Sequence, residues 1–353
     1  MTLQGNANDG TLSKQCKLDI VSALWPEHLS STLPIERIQT WDVYFQYYTA
    51  ECRKAIESKR GEYTTIRRHE DIIAVSDRLR RLHTKGEIQK ALVSLHTQQR
   101  SEKLKEQMAE GSIRLGVRVF AMVDTGPPSG NRTHGPASVP WQDNNVDLQT
   151  ILAKYFTKSL ADPGKTKFGE DFTAFNLQRL AGLEIHWTDN LADHLRLIEN
   201  DRKLCIFHHA TFLRFQKSDI YPDGLIRETL RTLDLLFPCY DSKTEKWLNS
   251  LDSASSDAKP PDPTLLDCDR MLSDDRRADK FSFWLDELLT LKEKFDQPRP
   301  ASIAQFWYDR RNKVQWYTFW IAVLVLCLTI FFGVIQSLEG ALQVYKAYHP
   351  TKE

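Results

Sequence analysis

The chain has 353 residues, long enough for one large or two ordinary domains. Lys plus Arg and Asp plus Glu stand at 47 each, so the formal charge is zero, which argues against a dedicated nucleic-acid binder. Hydrophobic residues at 41% and charged residues at 27% are ordinary for a folded protein, and the mean hydropathy of −0.46 makes any long apolar run an exception.

The first twenty residues are polar, lack an apolar signal-peptide core and read as disordered. Pro26 and Pro34 mark an extended entry, and a helical region covers 21–123. Within it Trp41, Tyr44, Phe45, Tyr48, Cys52 and Ile56 recur at three- and four-residue spacing, an aromatic core stripe. Residues 69–83 form a second amphipathic pattern that Lys85-Gly86 should end, and 87–110 a third. Residues 112–123 alternate like a strand, but Ile113, Gly116, Val117 and Phe120 also suit a buried helix face, and helix is preferred. Residues 51–120 hold an excess of six basic over acidic residues, which reads either as a solvated face or as attraction to an anionic leaflet.

Residues 124–141 are dense in Gly, Pro and Ser and read as a linker looping out of the fold. The sequon at Asn131 is accidental if this part is cytosolic. A second helical region, 142–300, has helices expected over 145–156, 173–182, 210–217, 223–237 and 279–295. Between the second and third of these, apolar runs flank Glu199, Asn200, Asp201 and Arg202, giving a β-hairpin near 195–207 in the helix–helix–hairpin order of a winged helix. Residues 250–270 are acidic and Ser- and Pro-containing, a mobile loop.

A juxtamembrane stretch, 301–315, leads into the strongest signal. Residues 316–335 read WYTFWIAVLVLCLTIFFGVI, 20 residues without a charge, matching the hydrocarbon thickness of a bilayer. Arg310, Arg311 and Lys313 precede the run and the next basic residue is Lys346, so the positive-inside rule places the N-terminal side in the cytosol. Trp316, Tyr317 and Trp320 suit the headgroup boundary at one end, with Ile335 closing the run at the other. The tail, 336–353, continues the apolar recurrence at Leu338, Leu342 and Tyr345. A late single span is the arrangement of a tail-anchored, single-pass protein.

Six cysteines form no C-x-x-C pair, and scattered thiols fit a reducing compartment. No nucleophile elbow, phosphate loop, dinucleotide fingerprint or H-E-x-x-H is present, so no catalytic residue stands out. The densest polar cluster holds His186, Asp189, Asp193 and His194, followed by His208 and His209. These are metal-ligand types, yet their spacing matches no zinc or iron motif. The plainer account is a capped turn at Thr188 or Asp189 with histidines packing the hairpin.

Three stretches carry a resemblance. They are 24–37 (LWP…LPIER), 187–210 (WTDNLADHLRL…IFHHA) and 309–350 (DRRNKVQWYTFW…GALQVYKAYHP). Together they resemble a group of fungal membrane-associated proteins over most of the chain. The resemblance implies a shared fold and membrane tail and carries over no catalytic residue. The expectation is a mainly α, multi-helix cytosolic domain with a small β-hairpin and one C-terminal transmembrane helix. It would act as a membrane-anchored, non-enzymatic interaction protein with the lipid bilayer and a protein as partners, no cofactor and no nucleic acid. The alternative is an accessory enzyme or metal-binding factor using the His186–His209 region.

Overall fold

A computed structural model describes residues 12–26, 35–57, 64–94, 101–126, 135–254, 260–267, 269–296 and 313–348. The sequon, Cys268 and the juxtamembrane residues Arg310 and Arg311 lie outside them. The chain divides into a unit over Met1–Gln297 and a second over Pro298–Glu353.

The first unit is mainly helical. Helix α1 (Lys14–Leu24) starts where the Ser13 hydroxyl accepts from the Cys16 amide, and it buries Cys16, Ile20, Val21 and Leu24 along one face. This corrects the disordered reading of 1–20 for residues 14–20: one short apolar stripe suffices when a large core receives it. A 3-10 turn over Ile35–Trp41 leads into α2 (Asp42–Glu57), whose aromatic stripe is buried as its spacing requires. Trp25 packs against Trp41, Tyr44, Phe120 and Phe212 with ring centroids 5.2 to 6.5 Å apart.

Helix α3 (His69–Arg80) is followed by α4 (Lys85–Ser94), so Lys85 and Gly86 begin a helix instead of merely ending one. Their amides donate to the carbonyls of Val146 and Asn144, and the Lys85 ammonium donates to the Trp141 carbonyl. Helix α5 (Glu102–Ala121) absorbs residues 112–121, as the buried-face reading preferred. It approaches α3 so closely that a Cβ on Gly116 would lie 2.5 Å from Val75 Cγ1.

The described ends of the 124–141 stretch are docked, not looped out. Gly126 donates to the Val139 carbonyl, Val139 donates to Asp124, and both Val139 and Trp141 are buried. The helical regions on either side of it share one hydrophobic cluster running from Cys16 to Phe295.

Helices α6 (Leu148–Tyr155) and α7 (Ala174–Arg179) precede a three-stranded sheet. The hairpin is present as β2 (Leu197–Ile198) antiparallel to β3 (Lys203–Phe207), and its turn holds Glu199, Asn200 and Asp201 all at positive φ. An unforeseen strand, β1 (Glu184–Thr188), pairs parallel with the other edge of β3, and only a 3-10 turn over Leu191–Asp193 separates it from β2. Helices α8 (Ala210–Phe215), α9 (Leu225–Leu236), α10 (Ser242–Ala254) and α11 (Leu285–Asp296) complete the unit. Part of the expected mobile loop at 250–270 is therefore ordered structure: α10 runs to Ala254, and a 3-10 turn over Pro263–Leu266 buries Leu265.

Two polar arrangements hold these elements in place. Helix α5 ends inside the core, where the Arg118 carbonyl still accepts the Met122 amide but the carbonyls after it lack a helical partner. Tyr47 donates to the Arg118 carbonyl at 3.0 Å, Tyr44 to Val119 at 2.9 Å, and Tyr221 to Ala121. Glu228 on α9 plays the complementary part for α11. Its Oε1 accepts the amides of Ser282, Phe283 and Trp284 at 2.7–2.8 Å, and Oε2 accepts the Ser282 hydroxyl.

The second unit contains α12 (Lys313–Tyr348), within which Tyr317–Tyr345 is long and apolar enough to cross a membrane. The helix continues beyond the expected 316–335 run.

Removing these satisfiers is expected to expose their worth. Tyr44→Phe leaves the Val119 carbonyl bare and should destabilise the first unit by about 1–3 kcal/mol. Glu228→Gln replaces a carboxylate that accepts three amides and should lose about 2–3 kcal/mol. Urea unfolding of the full-length chain in neutral detergent, read as the shift in midpoint, measures both; unchanged midpoints would refute the assignment.

Candidate functional site

Parallel pairing of β1 with β3 sets Thr188 opposite Phe207, so the two strands end side by side. The residues that follow, Asp189 on one strand and His208-His209 on the other, are thereby brought together. Asp189 Oδ1 lies 2.7 Å from His209 Nε2 and 3.5 Å from His208 Nε2. The two imidazoles stack at a centroid distance of 4.2 Å. Both histidines are buried, while Asp189 keeps a partial opening to solvent. Ligand atoms of the three residues all fall within 4.8 Å of one another.

The hydrogen-bond network assigns the tautomers. His208 Nδ1 accepts the Asp262 amide at 3.2 Å, so in the neutral ring Nε2 carries the proton and faces Asp189. His209 Nε2 donates to the same carboxylate, and its buried Nδ1 has no hydrogen-bond partner among the described residues. Burial works against the Asp189 charge, yet the two imidazole N–H groups outweigh it and hold the carboxyl well below the usual range. Burial, reinforced by the neighbouring His208, lowers the His209 pKa despite the carboxylate. The cluster is one carboxylate clasped between two imidazole N–H groups.

Such a clasp is poorly arranged for a metal ion. A ligating histidine offers a bare nitrogen to the metal and donates its other N–H to an acceptor. His208 does the reverse: its Nδ1 is committed as an acceptor to a backbone amide. Turning the ring's protonation around would set two N–H groups against each other.

The other candidates take separate places. His186 is exposed on β1. Asp193 is buried and saturated: Oδ1 accepts from the Ala137 amide and Arg196, and Oδ2 from the Asn190 side chain. His194 is almost wholly enclosed; its Nδ1 accepts the Phe207 amide at 3.2 Å and its Nε2 meets Thr232 Oγ1 at 2.7 Å. Thr232 passes the bond on to the Thr229 carbonyl. Burial drives the His194 pKa down to about 3.

Asp262 was not singled out by sequence. Besides fixing His208 through its amide, its carboxylate accepts the amides of Thr211 and Thr264. Its signal was available: Asp-Pro-Thr is an N-cap followed by a proline at the first helical position. No protein family, curated protein or solved structure matches the chain.

Burial of neutral His194 makes stability depend on pH with a defined sign. Its folded pKa lies below the ordinary 6.5, so above that value neither state is charged and nothing is lost. As pH falls from 6.5 toward 3, the unfolded state takes a proton that the folded state refuses. Between pH 7 and pH 5 this one residue should remove about 2 kcal/mol of stability. A His194→Gln variant should show a correspondingly flatter pH dependence in urea unfolding at those two values. An equal slope in both proteins would contradict the assignment.

Proposed function

We propose that the chain is a bilayer-anchored interaction protein, single-pass, with its helical unit on the cytosolic side and available to a protein partner. The observation that carries this is α12. Tyr317–Tyr345 spans 29 residues with a mean hydropathy of 2.6 in its most apolar window, and none of that window is buried. At 1.5 Å per residue it is about 43 Å long, comparable to a bilayer including its headgroup regions. Tyr317 and Trp320 stand near one end and Tyr345 and Tyr348 at the other, the spacing of two aromatic belts. Arg310, Arg311 and Lys313 before the span, against a next basic residue at Lys346, support a cytosolic helical unit. This reading invokes no cofactor and no nucleic acid.

A metal-dependent activity at the Asp189 cluster is the competing reading, motivated by its three ligand-type atoms within 4.8 Å. It requires His208 to give up the Asp262 amide. Stoichiometric zinc or iron in the purified full-length chain, lost in His208→Ala, would establish it.

Membrane fractionation tests the anchor. The chain should stay in the pellet through alkaline carbonate extraction, and deletion of residues 317–335 should release it. Protease added outside sealed microsomes should digest the helical unit and spare a small C-terminal fragment. Recovery of the intact chain in the supernatant without detergent would end this reading.

A further inference from the structure

A cleft of about 690 Å³ lies within the helical unit between α2, α4 and α5, and Asp189, His208 and His209 are not part of its lining. Its lining includes Lys54, Lys103, Arg114 and Arg118, together with Glu106 and Glu110. Glu110 is already engaged by Lys85, at 2.9 Å. Glu106 is exposed.

Arg114 and Arg118 sit four residues apart on α5, so both side chains leave the same face, one turn apart. Each guanidinium has an acidic neighbour but no hydrogen bond to it. Arg118 Nη1 is 3.3 Å from Glu51 Oε2, and Arg114 Nη2 is 3.5 Å from Asp124 Oδ1. Both of those carboxylate oxygens, and the Nε atoms of both arginines, are buried without a hydrogen-bond partner among the described residues. Two planar forks, each with five N–H donors, are therefore held in place by charge with their directional bonding unused. The Nε atoms are enclosed, but the side chains of Arg114 and Arg118 remain partly exposed at 36% and 29%, so N–H groups at their ends are open to an acceptor entering the cleft.

We propose that this cleft binds a phosphate monoester, with Arg114 and Arg118 as a two-pronged clamp and Lys103 adding charge at its side, Lys54 being already paired with Glu51 at 2.7 Å. Paired guanidiniums match phosphate oxygens in bidentate fashion. A monoester brings three acceptor oxygens and nearly two negative charges at neutral pH, where a carboxylate brings two oxygens and one charge. The volume admits the phosphate together with the organic group that carries it. The site lies wholly inside the first unit and does not depend on α12 crossing a bilayer. The ester could be a soluble sugar or inositol phosphate, or the headgroup of a phosphorylated lipid; both offer the same chemistry.

Calorimetric titration of the full-length chain in neutral detergent tests this, with inositol trisphosphate as the soluble probe and inositol as the unphosphorylated control. A parallel arm uses mixed micelles containing phosphatidylinositol phosphate or, as control, phosphatidylcholine. Heat with inositol trisphosphate but not inositol supports the site and a soluble source. Response only to the phosphorylated lipid supports the site and a membrane source. The double variant Arg114→Gln, Arg118→Gln should weaken binding by about tenfold or more. Lys103→Ala, on an exposed residue that leaves Glu51 and Asp124 undisturbed, should weaken it by about threefold and serves if the arginine variant fails to fold. Silence from both probes, or wild-type affinity in the folded variants, overturns the proposal.

Discussion

A helix that ends inside a protein leaves carbonyls that water cannot reach, and α5 is such a helix. Its closing residues and the two that follow, Val119 through Val123, are fully buried. Donors come from three separate segments: Tyr44 and Tyr47 on α2, Tyr221 ahead of α9, and the Leu191 amide, which donates to the Met122 carbonyl. The last two lie on the far side of the 124–141 stretch. Dividing the first unit there would strip α5 of half its satisfiers, which explains why two helical regions separated by a Gly- and Pro-rich stretch form one core. Each hydroxyl contributes about 1 kcal/mol when bonded, but an abandoned carbonyl costs more, so the donors act as a condition on the fold.

The same logic organises the irregular segments. Much of the chain between α5 and α11 is neither helix nor strand, and a loop in a core must place every amide and carbonyl. Buried carboxylates do this work. Asp193 ties Ala137 to Arg196, Asp262 ties Thr211 to Thr264, and Glu228 gathers three successive amides ahead of α11. Asp189 gathers the two histidines. Charge-assisted bonds to several donors offset the desolvation that a lone buried carboxylate could not survive. Polar clusters that resemble catalytic equipment in sequence are, in this fold, mostly knots that fasten loops.

Periodicity made some of this legible and hid the rest. Helices α2, α3, α9 and α11 are visible because their apolar residues recur at helical spacing, and the hairpin because turn-forming residues separate two apolar runs. Strand β1 was hidden: its five residues bury only Thr188, and its partner is the far strand of the hairpin, so no local pattern announces it. Without β1 there is no reason to bring Asp189 to His208 and His209. The residue types were therefore legible and their meeting was not. Nor does a tyrosine in an apolar stripe declare that its hydroxyl will cap a helix seventy-five residues away, as Tyr44 does for Val119. Sequence patterns name the face that is buried; they leave open what it is buried against.

That distinction also bears on α12. A helix that packs on one neighbour is apolar on one stripe and polar on the other, as α9 is. Over residues 317–335 helix α12 is apolar all round: Ile321, Leu324, Phe331, Phe332 and Val334 point in different directions and each is more than half exposed. A Cβ on Gly333 would meet nothing. A single docking surface would cover one of these directions and leave the others in water, at about 25 cal/mol for every Å² of apolar area so exposed. Only an environment that is apolar on every side removes the whole penalty, and a bilayer is the simplest one that does. The physical case for a lipid surrounding thus rests less on the length of the run than on its having no polar face to offer.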